Sequence, residues 1–234
     1  MSSIVSLGIV ILSGLVVASL QLPLGTLLLL YHASLGKNIR EKTKHLVSNF
    51  ISGATLMNFL LLAATCFLVS SLTISGVFSQ TALTVLFGIL IALGLVAWFF
   101  YYKLGKSTEL WLPRGIAKFI DDRAKKTNSL HEAFSLGIWI SLSEIMFTLP
   151  LIVISADSIL RLPSLFQALS LVIFTILSVL PLITLRLVLR SGKNVADVQR
   201  WRVKNKTFFR IFSGCGFIVL AVFLLAFVIL GGIK

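Results

Sequence analysis

The stretch AFSLGIWISLSEIMFTLPLIVISA, from Ala133 to Ala156, contains 24 almost uninterrupted apolar residues. A helix needs about 20 such residues to cross the roughly 30 Å hydrocarbon core of a bilayer, so this stretch predicts a membrane span. One carboxylate, Glu144, lies near its middle. An acid at that depth costs about 2.5 kcal/mol or more unless it is paired, protonated or hydrated, so we expect Glu144 to have a specific role.

Small and polar residues share one face of this predicted helix. Gly137, Ser141, Glu144 and Thr148 follow one another at intervals of 4, 3 and 4 residues, close to the helical repeat. Pro150 follows, and we expect it to loosen the backbone hydrogen bonding in this region.

The composition of the whole chain indicates a membrane protein. Of its 234 residues, 57% are hydrophobic and only 12% are charged, and the mean hydropathy is +1.02. A soluble globular protein would leave much of this apolar surface uncovered, so that class is excluded. The net charge of +13 does not indicate a nucleic-acid partner, because the basic residues form short clusters between apolar segments, as in cytoplasmic loops.

Six apolar segments are predicted as membrane helices, which makes the predicted fold all-α. They cover approximately residues 4–31, 46–72, 81–102, 133–156, 165–189 and 211–233. The first has no basic start and is too long for a signal peptide, so we expect it to remain uncleaved. Residues 1–102 and 133–234 are predicted to form two three-helix halves, joined by a cytoplasmic connection over residues 103–132.

The central connection contains an amphipathic pattern. In LPRGIAKFIDDRAKK, the apolar residues Leu112, Ile116, Phe119 and Ile120 share one face. We predict a helix that lies on the membrane surface with this face toward the lipid. A solvated, charged linker is the alternative.

The loops differ strongly in charge. Of the 21 Lys and Arg residues, 19 lie in or beside the first, third and fifth connections. The positive-inside rule therefore predicts that these connections face the cytoplasm and that both termini lie outside an inner (plasma) membrane. We expect the basic loops, above all the cluster from Arg200 to Arg210, to contact anionic lipid headgroups. The sequence leaves open whether the chain forms a homo-oligomer.

The first and fourth segments match each other. Aligning Gly14 with Gly137 sets GLVVASLQ against GIWISLSE, so that Gln21 takes the place of Glu144. Because the two segments enter the membrane from opposite sides, the match predicts two halves related by inversion, a plan that is common among secondary transporters. The third and sixth segments are almost purely apolar, and we expect them to face lipid.

This layout resembles the superfamily of LysE-type exporters and DsbD/CcdA-type membrane proteins. The likeness rests on the three-plus-three spans, on the basic inner loops, and on Pro23 and Pro150 in the first and fourth spans. The thiol–disulfide branch has a cysteine beside each of those prolines, whereas this chain has leucines there, with Cys66 and Cys215 in spans two and six. The resemblance therefore implies the exporter branch without redox chemistry.

Two functions remain open at this point. One is a small secondary transporter that exports a small solute, with proton or cation coupling by Glu144. The other is a non-transporting scaffold or subunit that binds a partner protein, in which Glu144 makes a structural hydrogen bond, for instance to Gln21 or Asn58. The chain contains no nucleophile–base pair, phosphate loop or HExxH motif, so neither an enzyme nor a cofactor or metal site is expected. The predicted substrate- or coupling-site residues are Glu144, Gln21, Asn58, Ser141, Thr148, Pro23 and Pro150.

Overall fold

The computed structural model describes residues 3–20, 22–33, 40–73, 77–101, 119–120, 122–124, 126–191 and 195–231. Within these ranges it does not describe the side chains of residues 22–23, 32–33, 40–42 and 100–101. This part of the chain is almost entirely helical and contains no strand, which confirms the all-α prediction.

The helices follow the apolar segments, with breaks in the first and the fourth. In chain order they are α1 (Ser3–Ala18), α2 (Leu22–Ala33), α3 (Arg40–Leu72), α4 (Gln80–Val96), α5 (Leu130–Ser143), α6 (Ile145–Leu160), α7 (Ser164–Arg190), α8 (Val195–Lys204) and α9 (Lys206–Leu224). Both α4 and α9 continue into a π-helical turn, Ala97–Tyr101 and Leu225–Ile229 respectively. Residues 119–120, 122–124 and 126 are also helical.

Four helical stretches are long and apolar enough to cross a membrane: Thr43–Leu72, Gln80–Phe99, Ser164–Arg190 and Lys206–Ile229. The pair Leu130–Ser143 and Ile145–Leu160 makes a fifth if these helices, bent by 79°, cross as one broken span. The described residues therefore contain four to five candidate spans. The prediction of six spans is confirmed only to that extent. α1 is apolar but shorter than the four stretches that are long enough to cross a membrane.

The first predicted segment is two helices rather than one. α1 ends at Ala18, where the hydroxyl of Ser19 donates to the carbonyl of Val16 at 2.6 Å. α2 begins at Leu22, which puts Pro23 in its first turn, where a helix tolerates a missing N–H. The interruption between the two helices therefore precedes Pro23.

α3 and α5 cross at very short range. A methyl group on Gly53 would overlap the carbonyl oxygen of Phe134, and one on Gly137 would overlap the carbonyl oxygen of Phe50. Only glycine lets two backbones approach this closely, as is common where membrane helices pack. The crossing fixes α5 against α3 one and a half to two turns before α5 ends.

α1 and α7 cross in a similar but looser way. A Cβ atom on Gly14 would lie 3.0 Å from the Cβ of Leu177 and 3.5 Å from the carbonyl oxygen of Phe174. α1 therefore meets α7 through a glycine and a phenylalanine carbonyl, as α5 meets α3.

α4 and α9, which correspond to the third and sixth predicted segments, pack against each other. A methyl group on Gly214 would overlap the indole of Trp98, and one on Gly94 would lie 2.9 Å from Cγ1 of Ile218. α9 also buries Phe217 and Leu220 completely. The prediction that these segments face lipid is therefore wrong for one face of each, because that face belongs to the protein core.

The predicted surface helix is only partly described. Ile120 and Ala124 are buried in the protein core, whereas Phe119 is 41% exposed and its ring lies 6.1 Å from that of Trp139. Ile120 thus packs against protein instead of lipid. Leu112 and Ile116 lie outside the described residues.

The apolar core has two parts. One combines α1, α4, α6 and α9 with the second half of α3, and the other combines α2, α5 and the first half of α3 with the second half of α7. A group of polar side chains lies where these two parts meet.

Candidate functional site

A small polar cavity lies between the two parts of the core, near the middle of α3 and α7. Its volume is about 20 Å³, which is room for about one water molecule. Its polar wall consists of Asn58, Ser141, Glu144, Thr148 and Ser178. Four of the seven predicted site residues, carried by three different helices and the α5–α6 break, therefore come together here.

Glu144 is the residue at which α5 ends and α6 begins. Its φ and ψ are −92° and 7°, outside the helical range, and the two helix axes differ by 79° across it. Its carbonyl oxygen accepts the N–H groups of Phe147 at 2.9 Å and Thr148 at 3.0 Å, which starts α6. Its side chain is only 5% exposed. The bend thus places a carboxyl group inside the protein, at the junction of two helix ends.

The residues on either side of the break face the same cavity. The hydroxyl of Thr148 donates to the carbonyl of Glu144 at 3.3 Å. Among the described residues, the hydroxyl of Ser141 has only long contacts, 3.4 Å to the carbonyl of Gly137 and 3.5 Å to that of Ala54. Hydrogen bonds of that length are weak, so the Ser141 hydroxyl can turn toward a molecule in the cavity at little cost.

A hydrogen bond joins α3 to α7 at this level. Nδ2 of Asn58 donates to Oγ of Ser178 at 3.1 Å, and the Ser178 hydroxyl donates in turn to the carbonyl of Thr175 at 2.8 Å. Pro181, one turn after Ser178, also lines the cavity. Since proline has no N–H, α7 lacks the backbone bond that would otherwise reach the carbonyl of Leu177.

Of the three remaining predicted site residues, only Pro150 is fully described. Gln21 lies outside the described residues, and of Pro23 only the backbone is described. Pro150 lies inside α6 and is not among the described residues that line the cavity. Among the described residues, Pro181 of α7 is the proline that lines the cavity.

No family model, curated protein or solved structure matches the chain. The resemblance to LysE-type exporters therefore stays a prediction from the sequence. Among the described residues, no group of three His, Cys, Asp or Glu side chains could hold a metal ion, and Cys66 and Cys215 are free thiols.

A much larger cavity of about 670 Å³ adjoins the polar one and shares Ala18, Leu24 and Pro181 with it. We call it the α8 groove, because four of its lining residues belong to α8. It is lined by Leu15, Ala18, Ser19, Leu24, Pro181, Thr184, Leu185, Val188, Asp197, Val198, Trp201, Arg202, Phe208, Phe209 and Phe212.

Arg202 is the buried cation of the α8 groove, with 9% of its surface exposed. Sequence reasoning missed it, because it placed the whole cluster from Arg200 to Arg210 at lipid headgroups. A signal was present: Val195, Val198 and Arg202 are spaced by 3 and 4 residues, which puts the arginine on the apolar face of α8.

An ion pair lies at the opposite end of α7 from the α8 groove. The carboxylate of Asp157 accepts from Nε of Arg161 at 2.8 Å and from the N–H of Phe78 at 2.7 Å. Nη2 of Arg161 donates to the carbonyl of Phe78 at 3.3 Å. These bonds fasten the segment before α4 to the end of α6. The sequence showed the Asp–Arg spacing of four residues but not the partner at Phe78.

Proposed function

We propose that the chain is a small secondary transporter of the inner membrane, which exports a small solute and couples export to protons or cations through Glu144. The observation that carries the proposal is the position of Glu144 at a helix break, buried in a polar cavity that adjoins the α8 groove. Broken helices that meet near the membrane midplane are how secondary transporters commonly form their sites. An ionisable residue at that depth is usually functional.

Two inverted halves are part of this proposal, and three features support them. In the register that aligns Gly14 with Gly137, the break between α1 and α2 falls at the same place as the break at Glu144. The glycines of that register also meet equivalent partners, since Gly14 lies beside the carbonyl of Phe174 and Gly137 beside that of Phe50. Each half, moreover, ends in a π-helical turn.

In the proposed cycle the α8 groove is the cytoplasmic entrance. This orientation follows from the basic cluster on and after α8, according to the positive-inside rule. The bonds from Asp157 and Arg161 to the backbone of Phe78 hold the outer end closed in this conformation and have to break for release. The 20 Å³ cavity is too small for a solute larger than water, so passage of a solute past Glu144 requires the helices to part at the α5–α6 break.

The scaffold alternative is favoured by one specific observation. The polar cavity has room for about one water, and Asn58 and Ser178 bond each other across it. Polar residues that join helices in this way stabilise membrane bundles without any transport. In that case Glu144 has a structural role, and the polar side chains serve only to hold α3, α5 and α7 together.

Replacing Glu144 by glutamine separates the two functions. The amide keeps hydrogen-bonding capacity but cannot gain and lose a proton, so Glu144→Gln should fold normally while flux driven by a pH gradient falls to the level of protein-free vesicles. The measurement is uptake of candidate solutes into proteoliposomes with an imposed pH gradient, alongside thermal stability in detergent.

Ser143→Ala is the matched control, because Ser143 is adjacent to the break but its hydroxyl bonds only the carbonyl of Trp139 in the described structure. This variant should transport like the parent. Full gradient-driven flux in a folded Glu144→Gln protein would end the coupling proposal. A parent protein that carries none of the solutes tested would favour the scaffold.

The orientation has its own test. In a background without Cys66 and Cys215, cysteines at the exposed positions Ser79 and Ser164 should react with an impermeant thiol reagent added outside intact cells. Cysteines at the exposed positions Lys126 and Ser191 should react only after permeabilisation. The reverse labelling pattern would invert the proposed orientation and make the α8 groove face outward.

A further inference from the structure

We propose that the α8 groove binds a single-chain anionic amphiphile, a long-chain carboxylate, whose headgroup is held by Arg202 and whose chain lies along the apolar walls. The proposal goes beyond the proposed function, because a long-chain carboxylate is larger than the small solutes considered there. The binding itself can be measured without any transport.

The walls of the groove suit a hydrocarbon chain. Leu185 and Val188 of α7 form one side, and Phe208, Phe209 and Phe212 of α9 form the other. The rings of Phe208 and Phe212 stack at 5.8 Å, and those of Phe209 and Trp201 meet edge to face at 5.6 Å. Burial of an alkyl chain against such walls is favourable roughly in proportion to the apolar area covered.

The hydroxyl groups in the groove are already occupied. Thr184 donates to the carbonyl of Pro181 at 2.9 Å, and Ser19 donates to the carbonyl of Val16 at 2.6 Å. A small polar solute would therefore find few hydrogen-bonding partners along these walls. The volume of about 670 Å³ lies within the range of about 300–1,000 Å³ that is usual for ligand sites.

Arg202 gives the groove its preference for an anion. Its Nη1 and Nη2 atoms each lie 3.5 Å from where a Cβ atom of Gly25 would be, so the guanidinium lies against the bare backbone of α2. Nη1 also donates to Oε1 of Gln199 at 3.3 Å. The group is thus held in place at the edge of an apolar space, and a planar guanidinium matches the geometry of a carboxylate.

The carboxylate of Asp197 also lines the groove, but it lies nearer to solvent than Arg202. Its side chain is 65% exposed and pairs with Arg200 at 3.6 Å. Asp197 therefore lies at the solvent-exposed rim of the groove and pairs with Arg200, whereas Arg202 is buried inside the groove.

The mouth of the groove is apolar and open. Trp201, Phe208 and Phe212 are all more than half exposed, and the bilayer is the environment that suits such side chains. A membrane-dissolved amphiphile can thus enter with its chain between α7 and α9 while its headgroup stays near α8, at the level of lipid headgroups.

Quenching of Trp201 by 9,10-dibromostearate tests this inference. In full-length protein in nanodiscs, with Trp98, Trp111 and Trp139 replaced by phenylalanine, quenching should saturate, and Arg202→Gln should weaken the apparent affinity by about tenfold or more. The methyl ester of the same acid should quench without saturation. Equal affinity of the parent and a folded Arg202→Gln protein, or tighter binding of the ester, would overturn the proposal.

Two controls keep the test decisive. A protein that retains only Trp139, which is about as exposed as Trp201, reports general partition into the bilayer, and its quenching should not depend on Arg202. If Arg202→Gln fails to fold, Val188→Phe fills the groove with the arginine intact and should abolish saturable quenching. Saturable quenching that survives a filled groove would place the ligand elsewhere.

The outcome is independent of the coupling mechanism. Glu144→Gln should bind dibromostearate like the parent, because Glu144 does not line the α8 groove. Binding of dibromostearate without flux of any solute would retain this site and reject the transporter. Flux of small polar solutes without dibromostearate binding would retain the transporter and reject this site.

Discussion

The crossing of α5 over α3 and the crossing of α1 over α7 have the same design but differ in tightness. Each brings a glycine of a broken helix against a phenylalanine carbonyl of a long helix. At Gly137 a methyl group would overlap the carbonyl of Phe50, whereas at Gly14 a Cβ atom would lie 3.5 Å from the carbonyl of Phe174. The tighter crossing is the one next to Glu144.

This difference indicates which helix is held rigidly and which has freedom to move. α5 is fixed to α3 by two glycines, Gly53 and Gly137, shortly before it ends at the break. α1 has one glycine at its crossing, and a Cβ atom on it would lie 3.5 Å from the carbonyl oxygen of Phe174, where that of Gly137 would overlap the facing carbonyl. If the helices part around the polar cavity, we therefore expect α3 and α5 to move as one body and α1 and α7 to slide past each other.

Alanine at the two crossing glycines should give the largest difference in stability. Gly137→Ala should destabilise the protein by about 3 kcal/mol or prevent folding, because a backbone carbonyl of α3 cannot make room without moving the helix. Gly14→Ala should stay within about 1 kcal/mol of the parent, since alanine's helix propensity offsets the closer contact with Leu177. Unfolding by SDS titration in mixed micelles measures both.

Gly88→Ala is the matched control, because a Cβ atom on Gly88 would meet nothing within 4 Å. This variant should be as stable as the parent, or more stable by up to about 1 kcal/mol. Equal losses at Gly14 and Gly137 would show that the two crossings do not differ in tightness and would remove the reason to treat α3 and α5 as one body.

The sequence was sufficient for the features that depend on helical periodicity. Ser141, Glu144 and Thr148 recur at helical spacing, and the structure brings all three to one cavity. The aligned glycines, Gly14 and Gly137, were also visible in the sequence, and both lie at helix crossings. Such patterns depend only on residues within a few helical turns, so they can be recognised without knowing how distant segments pack.

The sequence could not predict features that arise from contacts between distant segments. The break at Glu144 has no glycine or proline beside it. We expected Pro150 to loosen the backbone hydrogen bonding in this segment, but it lies inside α6. The burial of Arg202 depends on Gly25, which is remote in sequence. Ile120 has the right spacing for a membrane-facing residue, yet it is buried in the core part that includes α2, α3, α5 and α7, because one apolar face can pack against protein as readily as against lipid.

The smallest effect is expected at the bond that links the two proposed halves, between Asn58 of α3 and Ser178 of α7. Asn58→Leu and Ser178→Ala should each destabilise by about 1 kcal/mol, and the double variant should lose about 0.6 kcal/mol less than the sum, because one hydrogen bond is lost only once. The same SDS titration measures the three variants.

Ser52→Ala combined with Asn58→Leu is the control pair, since the exposed hydroxyl of Ser52 bonds only the carbonyl of Ser48 in the described structure, and these two changes should be additive. A coupling free energy between Asn58 and Ser178 would show that their hydrogen bond holds α3 to α7. Such a bond is expected in the transporter and in the scaffold alike. Strict additivity for Asn58 and Ser178 would mean that the bond does not hold the halves together. Asn58 would then be a polar group whose partner is whatever occupies the cavity beside Glu144, which favours transport over the scaffold.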